Sequence, residues 1–249
     1  MHIRTNEPTQ ALQVLAIGNS FSEDATRYLH RIAEADGVGL EVTNLFIGGC
    51  SLERHCRNMR TDEKAYALQR NGRDTGIYVS LRETLQGRRW DVVTIQQVSH
   101  LSFDRGSYLP HVMELAKFVR ECVPQAKLYL HQTWAYEEGS ERLSRVAGYG
   151  SAADMLRDVV RVNADIARMI GADGVIPSGE LFGALSRRGL AGLHRDTFHA
   201  SLGLGRYALG TLWYRVLTKR RVSGNPFHDL DEAVSADVMR VVWETVDAL

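Results

Sequence analysis

Short apolar runs alternate with longer amphipathic ones along the chain. Gln13–Ile17 (QVLAI) is compact and apolar, which predicts a buried strand. Gly-Asn-Ser follows, then a helical stretch, Glu23–Ala35, in which Tyr28, Leu29, Ile32 and Ala33 share one face. Leu40–Ile47 (LEVTNLFI) reads as the second strand and ends at Gly48-Gly49. Asp91–Ile95, Lys127–His131 and Gly174–Ile176 are the third, fourth and fifth. Helical patterns lie near Leu109–Cys122, Ala152–Ile170, Ser201–Leu217 and Asp231–Leu249. Strands alternating with helices predict βαβ crossovers: a three-layer α/β/α sandwich around a mostly parallel, flavodoxin-like, five-stranded sheet.

No repeat or Pro/Ser-rich linker divides the chain, so residues 1–249 read as one domain with a flexible N-terminus over 1–10. The longest interruption is an insertion, 53–89, between the second and third strands. From Arg54 to Arg89 it holds nine Lys/Arg against four Asp/Glu. An excursion of that length serves either as a lid or substrate-binding segment or as a solvated helical insertion.

Composition narrows the function classes. Thirty Lys/Arg balance thirty Asp/Glu, which removes any global charge argument for nucleic acid or an anionic membrane as partner. Cys50, Cys56 and Cys122 read as reduced thiols, and a Cys50–Cys56 metal pair lacks further ligands at suitable spacing. Neither a metal nor an organic cofactor is expected. The polar stretch Met1–Gln10 has no apolar core of a signal peptide, and no run reaches membrane-span length, so either a cytoplasmic enzyme or one whose signal has been removed is expected. Oligomeric state is left open.

Ligands of open parallel sheets bind beyond the carboxyl ends of the strands, which singles out a few segments. After the first strand, Gly18-Asn19-Ser20-Phe21-Ser22 leads straight into a helix. A serine there is either a nucleophile beside unpaired helix N–H groups or a helix cap, and Ser22 suits the cap better than Ser20. After the second, Gly48-Gly49 lets the backbone approach a ligand and offer an N–H, or forms a plain turn. Gln96-Gln97-Val98-Ser99-His100 follows the third strand, and Gln132-Thr133-Trp134-Ala135-Tyr136 the fourth. The two glutamine amides need partners, either local ones or a substrate. Trp134 and Tyr136 either stack on a substrate ring or pack the rim. His100 and His131 lie near the same face and read as packed or hydrogen-bonded residues. A serine nucleophile needs a base. Asp196 is the one aspartate followed three residues later by a histidine, His199, a spacing that can set a carboxylate on one imidazole nitrogen while the other faces a serine. The competing reading makes Asp196 a helix cap with His199 packed beneath it.

Together these segments resemble the SGNH (GDSL-like) hydrolases. Ser20 in Gly-Asn-Ser-Phe-Ser resembles the first block, with Asn19 where that family usually has Asp. Asn44-Leu-Phe-Ile-Gly-Gly49 resembles the second and implies Gly49 as an oxyanion-hole residue alongside Ser20. Asp196-Thr-Phe-His199 resembles the last, implying a Ser20, His199 and Asp196 triad. Ile-Gly-Asn-Ser-Phe-Ser, Ile-Gly-Gly-Cys-Ser-Leu-Glu and Ile-Gln-Gln-Val-Ser resemble a bacterial branch of that superfamily. The third block departs: its Gly-x-Asn-Asp is missing, and Gln96-Gln97-Val98-Ser99 is similar instead to the Gln-Gly-Glu-Ser of sialate and acetylxylan esterase-like branches. That similarity implies a glutamine amide in the oxyanion hole, Gln96 or Gln97. The resemblance implies hydrolysis of short acyl esters, acetyl on a carbohydrate, with Trp134 and Tyr136 suited to a sugar face. Arg54 is a candidate binder of an acidic substrate group.

Three rivals stand beside this reading. A carbohydrate-binding protein on a hydrolase scaffold would fit the altered third block. A lipid esterase or thioesterase would call for an apolar lid, and the 53–89 insertion is too polar for an obvious one. A flavodoxin-like nucleotide binder ranks last, because no phosphate-binding glycine motif follows the first strand.

Overall fold

The computed structural model describes residues 10–249. The N-terminal stretch read as flexible therefore lies, apart from Gln10, outside the described residues. A seven-stranded sheet organises the chain: β1 (Leu12–Gly18), β2 (Leu40–Phe46), β3 (Tyr66–Arg70), β4 (Arg73–Val79), β5 (Val92–Ile95), β6 (Lys127–His131) and β7 (Gly174–Ile176). Their spatial order is β4-β3-β2-β1-β5-β6-β7. The neighbours from β2 to β7 pair in parallel, and these are the five strands the sequence predicts.

The sheet is wider than predicted by two strands, because part of the 53–89 insertion joins it. β3 pairs antiparallel with β2, and β4 closes a hairpin on β3. The connection is Asn71-Gly72, both at positive φ (51° and 76°), the conformation that a two-residue hairpin turn demands. Helix α3 (Leu52–Thr61) precedes the hairpin and α4 (Leu81–Gln86) follows it. The insertion is thus part helix and part sheet edge.

Alternation along β1 divides the core. Val14 and Ala16 face one layer, Leu15 and Ile17 the other, and all four are buried, as a central parallel strand covered on both sides requires. The first layer contains α1 (Ser20–Thr26), α2 (Leu29–Ala35), α7 (Ser178–Arg187), α8 (Leu204–Thr218) and α9 (Ala236–Ala248). The second contains α3, α4, α5 (His111–Cys122) and α6 (Ala152–Met169). Helix α8 buries nine of its fifteen residues, so it runs through its layer rather than over it. At Gly210 a Cβ would sit 2.9 Å from Ile32 Cδ1 and 3.5 Å from the backbone nitrogen of Leu29, so glycine there lets α8 lie close against α2. Among the described residues no helix is long and apolar enough to cross a membrane.

The stretch read as one helix, 23–35, is two. α1 starts earlier, at Ser20, and the chain breaks between Thr26 and Leu29. The break directs Arg27 to the hairpin turn, where its Nη1 donates to Gly72 O (2.8 Å), and Tyr28 Oη to Leu202 O (2.8 Å).

Candidate active site

Helix α1 begins at the end of β1, and its cap is Asn19 rather than Ser22. Asn19 Oδ1 accepts from Phe21 N–H (3.0 Å), which leaves Ser20, the first helical residue, free of a capping role. Ser22 is buried instead, with its hydroxyl 2.8 Å from both Asn19 O and Asn44 Oδ1. Ser20 Oγ donates to His199 Nε2 at 2.8 Å, and His199 Nδ1–H donates to Asp196 Oδ2 at 2.7 Å. Because an ionised carboxylate only accepts, the second contact fixes the imidazole proton on Nδ1 and leaves Nε2 to face the serine. Asp196 Oδ1 also accepts the backbone N–H of His199 (2.8 Å). Burial works against its ionisation, but the bonds from the His199 ring and backbone prevail and hold the carboxyl below its usual range.

The turn that makes this possible is strained. Thr197 has φ 72°, a left-handed conformation that costs a β-branched residue about 1–3 kcal/mol. Its carbonyl is held by Glu137 N–H (2.8 Å), and the bonds of Asp196 to the backbone close the turn from the other side.

Asn19 is the centre of a buried network across the strand ends. Its Nδ2 donates to Cys50 O (3.0 Å), beside Gly49, and its Oδ1 accepts Gln96 Nε2 (2.7 Å). Gln96 Oε1 accepts from His131 Nδ1 (2.8 Å), and His131 Nε2 accepts from Ser178 Oγ (3.1 Å). Burial pushes His131 down to about 3, so it stays neutral, as this arrangement needs. An aspartate at 19 could not donate to Cys50 O. The departure from the usual first block thus has a local cause.

Neither glutamine amide reaches the serine. Gln96 is fully buried and spent on Asn19 and His131. Gln97 Oε1 accepts from Leu52 N–H and Val98 N–H, while its Nε2 donates to Ser107 O. The expectation that one of them lines an oxyanion hole is corrected: buried amides take protein partners before substrate. Trp134 is corrected in the same way. It is completely buried, stacked on Phe21 at 4.0 Å between centroids, and its Nε1 donates to Phe198 O (2.7 Å). It supports the Asp196–His199 turn from beneath and offers no face to a sugar. Arg54 lies on the exposed side of α3, outside the cavity beside Ser20.

That cavity has a volume of about 340 Å³ and is bordered by Ser20, Gly49, Ser99, Tyr136, Phe198 and His199, with Gly48, His100 and Arg142 among its other walls. No residue of the 53–89 insertion lines it, so the lid reading finds no support. Gly49 has φ 61° with nothing within 4 Å of a built Cβ, and among the described residues neither its N–H nor that of Ser20 has a protein acceptor. Tyr136 belongs to the wall, with its hydroxyl 3.1 Å from Ser99 Oγ. Sequence reasoning noted the Asn-for-Asp exchange at Asn19 but gave it no role, and it did not single out Asp24 or Arg142, whose partners are contacts made by the fold.

Residues 13–245 match DUF4886, a domain of unknown function. The chain belongs to the DUF4886 family. A DUF4886 family protein from Bacteroides uniformis ATCC 8492 is 32% identical and superposes with a TM-score of 0.89 over 96% of this chain and 94% of that one. A presumed SGNH hydrolase from Slackia heliotrinireducens is 22% identical, TM-score 0.60, over 83% of this chain and all but 2% of the other, which is covered to 98%. A presumed GDSL-like lipase from Parabacteroides merdae ATCC 43184 is 12% identical, TM-score 0.57, covering 86% of this chain and 100% of that one. At these identities the last two establish a shared fold: this DUF4886 chain has the fold of SGNH hydrolases. No curated protein matches it.

Proposed function

We propose that this chain is a serine esterase for short acyl esters, with Ser20 as nucleophile, His199 as general base and acid, and Asp196 as the residue that orients His199. The observation that carries the reading is the unbroken relay from Ser20 Oγ to His199 Nε2 and from His199 Nδ1 to Asp196, at 2.8 and 2.7 Å. A free hydroxyl is a poor nucleophile, and a base at hydrogen-bond distance, itself oriented by a carboxylate, is what activates it.

In this mechanism His199 takes the Ser20 proton as Oγ attacks the ester carbonyl. The oxyanion is received by the unpaired N–H groups of Ser20 and Gly49. His199 returns the proton to the leaving alcohol, and water, activated by the same imidazole, releases the acid from the acyl-enzyme. With both glutamines committed elsewhere, the hole has two backbone donors and no glutamine amide. One missing donor typically lowers turnover by about 10²–10³, so modest turnover is expected. A cavity near 340 Å³ lies at the low end of ligand sites, which favours acetyl over long acyl chains. The sugar as alcohol rests on the resemblance of Gln96-Gln97-Val98-Ser99 alone.

Hydrolysis of 4-nitrophenyl esters of increasing acyl length tests the reading. Turnover should be greatest for acetate and disappear in Ser20→Ala. Equal rates in wild type and variant for these esters and for acetylated sugars would favour a binding protein on a hydrolase scaffold.

A further inference from the structure

The cavity beside Ser20 contains one permanent charge, and it is positive. Arg142 stands at its wall, half-buried, with its guanidinium carbon 3.6 Å from the centroid of Phe198 and 5.5 Å from that of Tyr136. Both rings line the same cavity, and Phe198 directly precedes His199. Among the described residues the Arg142 side chain has no hydrogen bond and no carboxylate within ion-pair distance. The other partly buried arginines among the described residues, Arg27, Arg31, Arg206 and Arg215, each face a carboxylate, whereas those without one, such as Arg54 and Arg82, are exposed. No Asp or Glu lines the cavity, whose other titratable members are His100, His199 and Tyr136. Burial, and secondly the charge of Arg142, holds His100 below its usual range, in keeping with a site of positive potential.

A half-buried guanidinium without a counter-charge has lost solvation that stacking on rings only partly replaces. Its planar fork of donors suits the paired oxygens of a carboxylate, sulfate or phosphate. The contact with Phe198 sets the guanidinium at the wall of the cavity that holds the Ser20 hydroxyl. Arg142 is also the first residue of a single π turn, Arg142–Val146, a local distortion of the kind found often at functional sites.

We infer that Arg142 determines specificity for esters carrying an anionic group, a carboxylate, sulfate or phosphate, near the acyl group removed by Ser20. The inference rests on the esterase reading and gives its substrate a charge. It also moves the expected acid-binding role from Arg54, which does not line the cavity, to a cation that borders the serine.

The test compares the 3- and 4-acetoxybenzoates with their neutral methyl esters, each rate corrected for uncatalysed hydrolysis. Wild type, Arg142→Met and Arg142→Lys are assayed together. Methionine keeps an apolar contact on Phe198 while removing the charge, and lysine keeps the charge without the fork. The wild type should favour a carboxylate ester in kcat/KM. Arg142→Met should lower that preference about ten- to a hundredfold, chiefly through KM, and Arg142→Lys should restore part of it. The same preference in wild type and Arg142→Met would overturn the inference and leave the esterase reading standing, since both classes of ester are then turned over. If no ester is hydrolysed, the esterase reading fails, and calorimetric binding of 4-hydroxybenzoate decides the role of Arg142. Tighter binding to wild type than to Arg142→Met would retain anion recognition, and equal binding would overturn it.

Discussion

Arg195 Nη1 donates to both carboxylate oxygens of Asp24, at 2.9 and 3.1 Å, and so ties the turn of His199 to the helix of Ser20. Asp24 is fully buried, and it also accepts Arg206 Nε (2.8 Å) and the backbone N–H of Ala200 (3.1 Å). Its partners Arg195 and Ala200 flank Asp196 and His199 in sequence. One carboxylate on α1 therefore grips the Asp196–His199 turn on both sides. Asp24→Asn leaves Arg195 without its counter-charge and Arg206 with Asp231 alone, and breaking a pair of this kind costs about 3–5 kcal/mol. Urea unfolding should show that loss. The folded protein should also lose turnover, because the distance from His199 to Ser20 is no longer held.

Asn19 provides a sharper test, because its donor faces Cys50 O and its acceptor faces Phe21 N–H and Gln96 Nε2. Asn19→Asp places an acceptor against a carbonyl and a charge in a buried site. A cost of about 1–3 kcal/mol is expected near neutral pH. Since a protonated aspartic acid can donate to Cys50 O, the deficit relative to wild type should shrink as pH falls. Thermal unfolding of both proteins from pH 7 to pH 4 measures this.

His131 sets part of the acid limit of stability. Burial pushes it down to about 3 from an ordinary 6.5. Between those values the unfolded chain binds a proton that the folded chain refuses, so this contribution is complete above about pH 6.5 and is lost progressively as pH falls towards 3. His55, buried in the other layer, is lowered to about 3 for the same reason and adds in the same direction. Each can contribute a slope of up to about 1.4 kcal/mol per pH unit. Urea midpoints should therefore decline from pH 6.5 to pH 4, and His131→Gln should flatten the decline while lowering stability at pH 7.

Trp134 separates a packing role from a sugar platform. Trp134→Phe keeps an aromatic ring against Phe21 but leaves Phe198 O without its donor, a loss of about 1–3 kcal/mol. Through Phe198 the change should lower kcat more than it raises KM. A rise in KM for sugar esters with unchanged kcat and stability would return Trp134 to the substrate.

The parallel core was legible because each central strand is a continuous apolar run ending in a polar or glycine-rich loop, as in Gln13–Ile17 and Lys127–His131. The hairpin was missed although its signal is present: Asn71-Gly72 sits between Tyr66–Arg70 and Arg73–Val79, and the arginines around it masked the alternation. Helix α7 escaped because Ser178–Arg187 follows a three-residue strand with almost no connecting loop. At the site, sequence proximity made Asp196 and His199 a pair, but their meeting with Ser20 spans 179 positions and required the family resemblance. The glutamines could not be assigned from sequence for a related reason. Gln96 is held by Asn19, 77 positions away, and by His131, 35 away. Which way a buried amide points is decided by partners that only the fold brings together.

The central claim is that Ser20 is a nucleophile activated by His199. Labelling with a fluorophosphonate probe, followed by intact mass and peptide mapping, tests it most directly in wild type, Ser20→Ala and His199→Ala. A single adduct on Ser20 in wild type is expected, with none in Ser20→Ala and labelling slowed by about 10³ or more in His199→Ala. Absence of an adduct on Ser20, or equal labelling rates with and without His199, would contradict the account.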